Sequence, residues 1–340
     1  MRHSTACSSA SERLVRRWYQ PGSPPAWLLP LSWLFGTVIG LRRVAYRTGL
    51  MATHRSTRPV IVVGNLTVGG SGKTPLVIWL VEQLRQRGLR PAVISRGYGR
   101  SARGARRIGP GDSAEDVGDE PLLIARRTGV PVAVGERRIE AARLVEQECD
   151  LILCDDGLQH YALGRDAEIV VMDGRRRLGN GQLLPAGPLR EPARRLGGVD
   201  AVVCTGGPPP VGAGILMALQ PSRWVPMAGG EPLAPAAMAG RRAHALAGIG
   251  HPERFFDQLT ALGVEVIPHA LPDHGVPTVT EVAFGDALPV LMTEKDAVKY
   301  PHLVDERHWY LEVQAEIDAE GSGQLLGIVD RVMESARAGR

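Results

Sequence analysis

Lysine is nearly absent from this chain. Of 40 basic residues only Lys73, Lys295 and Lys299 are lysines, and the rest are arginine. Under such a drift toward arginine, a position that keeps lysine is a candidate for needing a compact ammonium rather than a planar fork. Cysteine is scarce as well: Cys7, Cys149, Cys154 and Cys204 show neither CxxC spacing nor the density of a disulfide framework. That excludes a zinc ribbon and a stapled secreted domain, and Cys149 and Cys154, flanking an apolar run, read as core thiols in a reducing compartment. Aromatics are 5% of residues, yet Trp18, Trp27 and Trp33 fall at the start of the chain, which sets the N-terminus apart. No internal repeat occurs, and no NKxD-type motif that would read a guanine base. Hydrophobic and charged fractions of 44% and 22% are those of an ordinary globular protein, and 340 residues suffice for two compact domains.

The net charge of +4 is unevenly placed. Residues 1–58 carry nine arginines against the single acid Glu12, a net of +8, so the remaining 282 residues sum to −4. A nucleic-acid binder would spread its basic residues over a folded face with stacking aromatics, so the pattern argues against nucleic acid as a partner. Residues 1–25, polar and with Pro21, Pro24 and Pro25, read as loosely ordered. The uncharged stretch Ala26–Leu41 follows, and then Arg42, Arg43 and Arg47 around Tyr46. As a helix it would reach roughly 24 Å, short of the ~30 Å hydrocarbon core. Trp near its start and Arg at its end fit a membrane-associated helix lying in or dipping into the interface, with spanning left open. The alternatives are a core helix and a signal peptide; the latter lacks its small-residue cleavage site.

From residue 59 the pattern alternates strand, loop and helix. Pro59–Gly64 is a short β-branched apolar run, as in a buried parallel strand. Leu76–Arg87 has helical spacing and is stopped by Gly88. Further strands are expected near 92–95, 130–134, 151–154, 169–172 and 201–204, with helices over 120–127 and 138–146. This alternation implies an α/β fold, a doubly wound parallel sheet of P-loop NTPase type over 59–205. The Gly/Pro-rich stretch 206–214 reads as a boundary, with a second, smaller α/β domain over 206–340 whose strands lie near 243–247, 264–267, 289–292 and 309–313.

The loop between the first strand and helix carries the main chemistry. Thr67-Val68-Gly69-Gly70-Ser71-Gly72-Lys73-Thr74 matches the end of the G-x-x-x-x-G-K-[ST] pattern but begins with Thr. Glycines let backbone N–H groups turn in around phosphate oxygens, while the lysine reaches the terminal phosphates and the threonine hydroxyl meets Mg²⁺. Leu151–Cys154 leads into Asp155-Asp156, a Walker-B-like placement of carboxylate where Mg²⁺ would sit. Gly118-Asp119-Glu120-Pro121 reads either as a helix cap with a first-turn acid or as a carboxylate able to accept a substrate proton. His274 and His160 are ambiguous loop histidines. Arg175–Arg177 and Arg190 are ordinarily surface arginines, but beside a P-loop could bind substrate phosphate or stabilise the transferring group.

These residues resemble a known family. Gly64–Pro75, Ser95-Arg96-Gly97-Tyr98-Gly99, Gly118–Pro121, Asp155-Asp156-Gly157-Leu158-Gln159-His160, Gly179–Glu191, Gly248–Pro252, Phe255-Phe256 and Thr293–Lys299 are similar to the corresponding strings of the tetraacyldisaccharide 4'-kinases, the lipid A 4'-kinases of Gram-negative bacteria. The resemblance runs from about Trp27 to Val313, and a missing first Walker glycine is itself a family trait. It implies transfer of the γ-phosphoryl of ATP, with Mg²⁺, to the 4'-hydroxyl of a tetraacylated glucosamine disaccharide 1-phosphate. That is the lipid IVA-forming step of lipid A (lipopolysaccharide) biosynthesis, at the cytoplasmic face of the inner membrane. It further implies Asp119 as catalytic base with His274 as its partner. Residues 67–74 would bind ATP, with Lys73 acting on the phosphates; Thr74, Asp155, Asp156 and Glu120 fall to the metal, and Arg190 supports the site. About a dozen residues precede the usual family start, and Gly275 stands where many members carry a second histidine, so only His274 carries over. The competing readings are a membrane-tethered P-loop ATPase or GTPase switch, and a nucleotide-binding scaffold that would not need Asp119.

Overall fold

The computed structural model describes residues 10–20, 24–209, 214–271, 284–300 and 305–338, with side chains from residue 14 onward. In chain order the helices are α1 (Ala10–Tyr19), α2 (Leu29–Arg47), α3 (Lys73–Gln86), α4 (Ala114–Val117), α5 (Asp119–Thr128), α6 (Arg138–Arg143), α7 (Pro252–Ala261), α8 (Glu294–Ala297) and α9 (Ala319–Ala338). The strands are β1 (Val60–Gly64), β2 (Pro91–Ser95), β3 (Arg106–Arg107), β4 (Val132–Val134), β5 (Leu151–Asp155), β6 (Ala167–Asp173), β7 (Ala201–Thr205), β8 (Ile215–Pro226), β9 (Arg242–Ala247), β10 (Glu265–Ala270), β11 (Val290–Thr293) and β12 (His308–Ile317).

One sheet of twelve strands takes the order β10-β9-β11-β12-β8-β7-β6-β1-β5-β2-β4-β3. Pairing is parallel except for β3 with β4 and β8 with β12. The strands on either side of the 206–214 stretch, β7 and β8, are hydrogen-bonded neighbours in that sheet.

The β-branched run of β1 is fully buried because strands flank it on both sides, β5 and β6. Its side chains alternate between two cores, as strand periodicity demands. Ile61 and Val63 pack with Leu76, Leu80 and Leu84 of α3 and Leu325, Val329 and Val332 of α9. Val60 and Val62 face Ile139, Ala142 and Val145. Helices on both faces are the doubly wound arrangement, and truncating one such buried leucine to alanine costs about 2–5 kcal/mol. Cys149, Cys154 and Cys204 are buried free thiols within it.

The parallel strands put one set of carboxyl ends on one edge of the sheet, the edge that receives ligands in this class of fold. Register sets Val63 of β1 beside Asp155 of β5. The loops after β1, β2, β5, β6 and β7 therefore converge there.

Two features at the N-terminus differ from the sequence-based expectation. Within 1–25, a helix occupies 10–19 rather than loose chain, because Trp18 is buried and its indole donates to the Pro185 carbonyl at 3.1 Å. The apolar helix also runs on through Arg42 and Arg43 to Arg47, giving 22 helical residues from Ala26 that are long and apolar enough to cross a membrane. Its inner side is fixed by Ser32, which donates to the Leu183 carbonyl at 2.6 Å. Trp27, Leu31, Trp33, Leu34, Val38, Leu41 and Val44 are exposed.

Candidate active site

The phosphate loop is built from outside as well as within. Val68 donates to the Pro188 carbonyl at 3.0 Å and Arg190 N–H to the Leu66 carbonyl at 2.7 Å, so segment 188–190 straps the start of the loop. Gln159 donates to the Asn65 carbonyl at 3.0 Å, and the Asn65 amide to the Gly69 carbonyl at 3.2 Å. Gly72 caps α3 at φ +86°, where a Cβ would stand 2.9 Å from the Thr205 methyl. Only glycine fits that backbone and that space.

Lys73, the first residue of α3, is buried, and its ammonium lies 3.5 Å from Asp156 Oδ1. Arg190 approaches the same carboxylate at 3.4 Å. Burial alone would raise Asp156, but these two cations hold it below the ordinary carboxylate range. Its neighbour Asp155 is fully buried and pushed the other way, by burial first and then by the Glu120 carboxylate, against the pull of Lys73. Asp155 Oδ2 accepts from the Ser95 hydroxyl at 3.3 Å, whereas Oδ1 and the Ser71 hydroxyl are buried without a hydrogen-bond partner.

Those two atoms test whether Mg²⁺ suits the site. Among the described residues no group of three or more His, Cys, Asp or Glu is arranged for a metal. Mg²⁺ in phosphoryl transfer asks for less, one or two carboxylates together with substrate phosphates. A buried carboxylate oxygen and a hydroxyl left unpartnered beside the P-loop fit that requirement.

A second group of acids stands at the start of α5. Gly118 has φ +92°, and a Cβ there would meet the Gly97 backbone at 3.0 Å, which seats Asp119 against the loop after β2. Asp119 is buried; its Oδ1 accepts from Glu120 N–H at 2.9 Å. Lysines from α8 and just beyond it complete the group. Lys295 lies 3.0 Å from Glu120 and 3.5 Å from Asp119, and Lys299 lies 3.9 Å from Asp119 and 3.0 Å from Asp296. Nη1 of Arg127, further along α5, donates to both carboxylate oxygens of Glu294 at 2.8 and 2.9 Å.

The geometry thus brings Lys73, Asp155, Asp156 and Arg190 together at the loop, and Asp119 and Glu120 with Lys295 and Lys299 beside them. His274 lies outside the described residues. Lys295 and Lys299 are marked in the sequence by the rarity of lysine and by the string Thr293–Lys299, neither of which gives them a role. Chemically, the arrangement can hold phosphates, offset their charge, and present a carboxylate to a proton donor.

Comparison with known proteins agrees with this reading. The profile of the LpxK family, tetraacyldisaccharide-1-P 4'-kinase, matches residues 25–330. The tetraacyldisaccharide 4'-kinase of Methylobacillus flagellatus is 49% identical over 330 residues, covering 96% of this chain and 98% of its own. That of Pseudomonas aeruginosa is 49% identical over 312 residues, covering 90% and 94%. Among solved structures, LpxK from Aquifex aeolicus in complex with ATP superposes with a TM-score of 0.75 at 28% identity, over 91% of this chain and 99% of that one.

Proposed function

The chain belongs to the tetraacyldisaccharide-1-P 4'-kinase family, and from that membership we propose that it transfers the γ-phosphoryl group of ATP to the 4'-hydroxyl of a tetraacylated glucosamine disaccharide 1-phosphate. The reaction would take place at the cytoplasmic face of a bacterial inner membrane and yield lipid IVA. The observation that carries the reading is the meeting of a P-loop lysine, paired carboxylates and a buried aspartate at one sheet edge.

An alcohol is a weak nucleophile, and Asp119 serves as the base that takes its proton. The backbone of residues 67–72 and Lys73 hold the triphosphate, and Lys73 with Arg190 offsets charge on the transferring group. Thr74, Asp155, Asp156 and Glu120 are the candidate ligands for Mg²⁺, which when bound neutralises phosphate charge. His274 is assigned as the partner of Asp119, with residues 206–340 closing over 59–205 to bring it there. The exposed apolar side of α2 with Arg42, Arg43 and Arg47 keeps the enzyme at the bilayer, where the acyl chains of the acceptor stay while its headgroup enters the site.

The test is ATP-dependent phosphorylation of the acylated disaccharide 1-phosphate by wild type, Lys73→Ala and Asp119→Ala. Wild type is expected to phosphorylate the lipid, with both variants slower by about a hundredfold or more. ATP hydrolysis with unmodified lipid sinks the kinase reading, and full activity in Asp119→Ala sinks the base assignment.

A further inference from the structure

Of the three consecutive arginines 175–177, Arg176 is the one that stands beside the phosphate loop. It leaves the turn after β6, whose backbone is pinned by Asp173: Oδ1 accepts from the N–H of Arg175 at 3.0 Å and of Arg176 at 3.1 Å. The guanidinium carbon lies 4.5 Å from the centroid of the Tyr19 ring. Nη2 donates to His251 Nδ1 at 2.8 Å. A Cβ built on Gly69 would stand 4.0 Å from Nη1, so one arm of the fork lies against the mouth of the loop. Tyr19 reaches the loop too, its hydroxyl donating to the Val68 carbonyl at 3.4 Å.

Neither Tyr19 nor His251 supplies a negative charge, and the carboxylates of Asp173 and Glu253 act on the Arg176 guanidinium only from a distance. His251 is held down to about 4, by burial first and then by Arg176 and Arg254, so its ring is neutral at pH 7. A guanidinium can only donate, which makes Nδ1 the acceptor. The acid at the root of the turn, Asp173, pairs with Arg254 at 2.5 Å instead. No carboxylate pairs with Arg176 among the described residues. A half-buried guanidinium that is oriented by a ring and an imidazole, with no carboxylate in direct contact, is suited to an anion. The anion available at that position is a phosphate cradled by residues 67–74.

We propose that Arg176 is a catalytic residue whose guanidinium contacts the terminal phosphate of the bound nucleoside triphosphate on the Gly69 side of the loop, with Tyr19 and His251 as positioning residues. An arginine supplied in cis to a P-loop stabilises charge on the transferring phosphoryl group. The inference rests on the reading of the loop as an ATP site. It also gives a role to α1, which precedes the residues 25–330 matched by the family profile, because the last turn of that helix supplies the ring on which the arginine lies.

A contact to the terminal phosphate separates ATP from ADP. The test is calorimetric titration of the full chain with Mg-ATP and with Mg-ADP, for wild type, Arg176→Ala, Arg176→Lys, Tyr19→Ala and Tyr19→Phe. Arg176→Ala is expected to weaken ATP by roughly ten- to a hundredfold, the range of a charge-assisted hydrogen bond, with ADP unchanged. Retained ADP binding also reports an intact fold. Arg176→Lys is expected to recover only part of the loss, because an ammonium does not reproduce the fork. Tyr19→Ala should weaken ATP by roughly two- to tenfold, and Tyr19→Phe, which keeps the ring, should not. Equal loss of ATP and ADP in Arg176→Ala, or no loss of either, overturns the catalytic role. ATP binding at wild-type strength in Tyr19→Ala overturns the positioning role. A wild-type chain that binds neither nucleotide overturns the ATP reading and this inference together.

Discussion

At the scale of single residues, the three lysines are the clearest case of sequence composition pointing at chemistry. Lys73 meets Asp156, Lys295 meets Glu120 and Asp119, and Lys299 meets Asp296 and Asp119. In a chain that otherwise uses arginine, each lysine sits where a point charge faces a carboxylate. His160 illustrates a different residue-scale consequence. Burial, then Arg138 and Arg165, hold its ring down to about 4 from the ordinary 6.5. Between those values the unfolded chain binds the proton and the folded chain does not, so stability falls as pH falls through that window. Urea midpoints measured down the window should drop less for His160→Gln than for wild type; identical slopes would contradict the assignment. The P-loop was legible because glycine and lysine at fixed spacing before a helix have few other uses, and it lent weight to the acids at 155–156; those at 119–120 read equally well as a helix cap, and only the family resemblance singled out Asp119. Arg176 was visible only as one of three arginines in a row. Its significance depends on Tyr19, Gly69 and His251, residues so far apart in sequence that no local pattern joins them.

At the scale of elements, periodicity found β1, β2, β4 to β7 and the α3 and α5 helices because buried parallel strands and amphipathic helices carry strong signals. It passed over β8, whose exposure alternates irregularly and which holds Pro221 and Pro226. Its antiparallel pairing with β12 shifts register between Glu312 and Val313. It also passed over α1, since a helix of 10 residues is stable only when docked, and the docking partner of Trp18 lies at Pro185. Two predictions belong here. Arg127 of α5 serves the buried Glu294 of α8 and Glu312 of β12. Arg127→Met leaves both carboxylates without this partner and is expected to cost about 3–5 kcal/mol in denaturant unfolding; a loss too small to measure would show that these ion pairs contribute little. For the apolar segment of α2 and the helical turn before it, replacing Trp27, Trp33 and Leu34, each more than half exposed, with serine should abolish cosedimentation with anionic vesicles while leaving the unfolding midpoint unchanged. Undiminished vesicle binding would move membrane contact elsewhere.

At the scale of the whole molecule, the α/β class and the edge on which the site forms followed from strand–helix alternation, because parallel strands necessarily align their carboxyl ends. The extent of the sheet did not follow. A Gly/Pro-rich stretch marks a change of composition, and pairing of β7 with β8 across it is a long-range matter that composition does not encode. The two halves of the chain nevertheless meet at the chemistry: α5 supplies Asp119 and Glu120, and Lys295 and Lys299 from the C-terminal half answer them. The proposed role of His274 adds closure of 206–340 over the P-loop half. The central claim is that this edge passes a phosphoryl group to a lipid. The most direct measurement follows the label from γ-³²P ATP incubated with the full chain, Mg²⁺ and the tetraacylated disaccharide 1-phosphate in mixed micelles. The account predicts that label appears on the lipid at the 4' oxygen and not when Lys73→Ala replaces wild type. Label released only as inorganic phosphate, with the disaccharide unchanged, would contradict it.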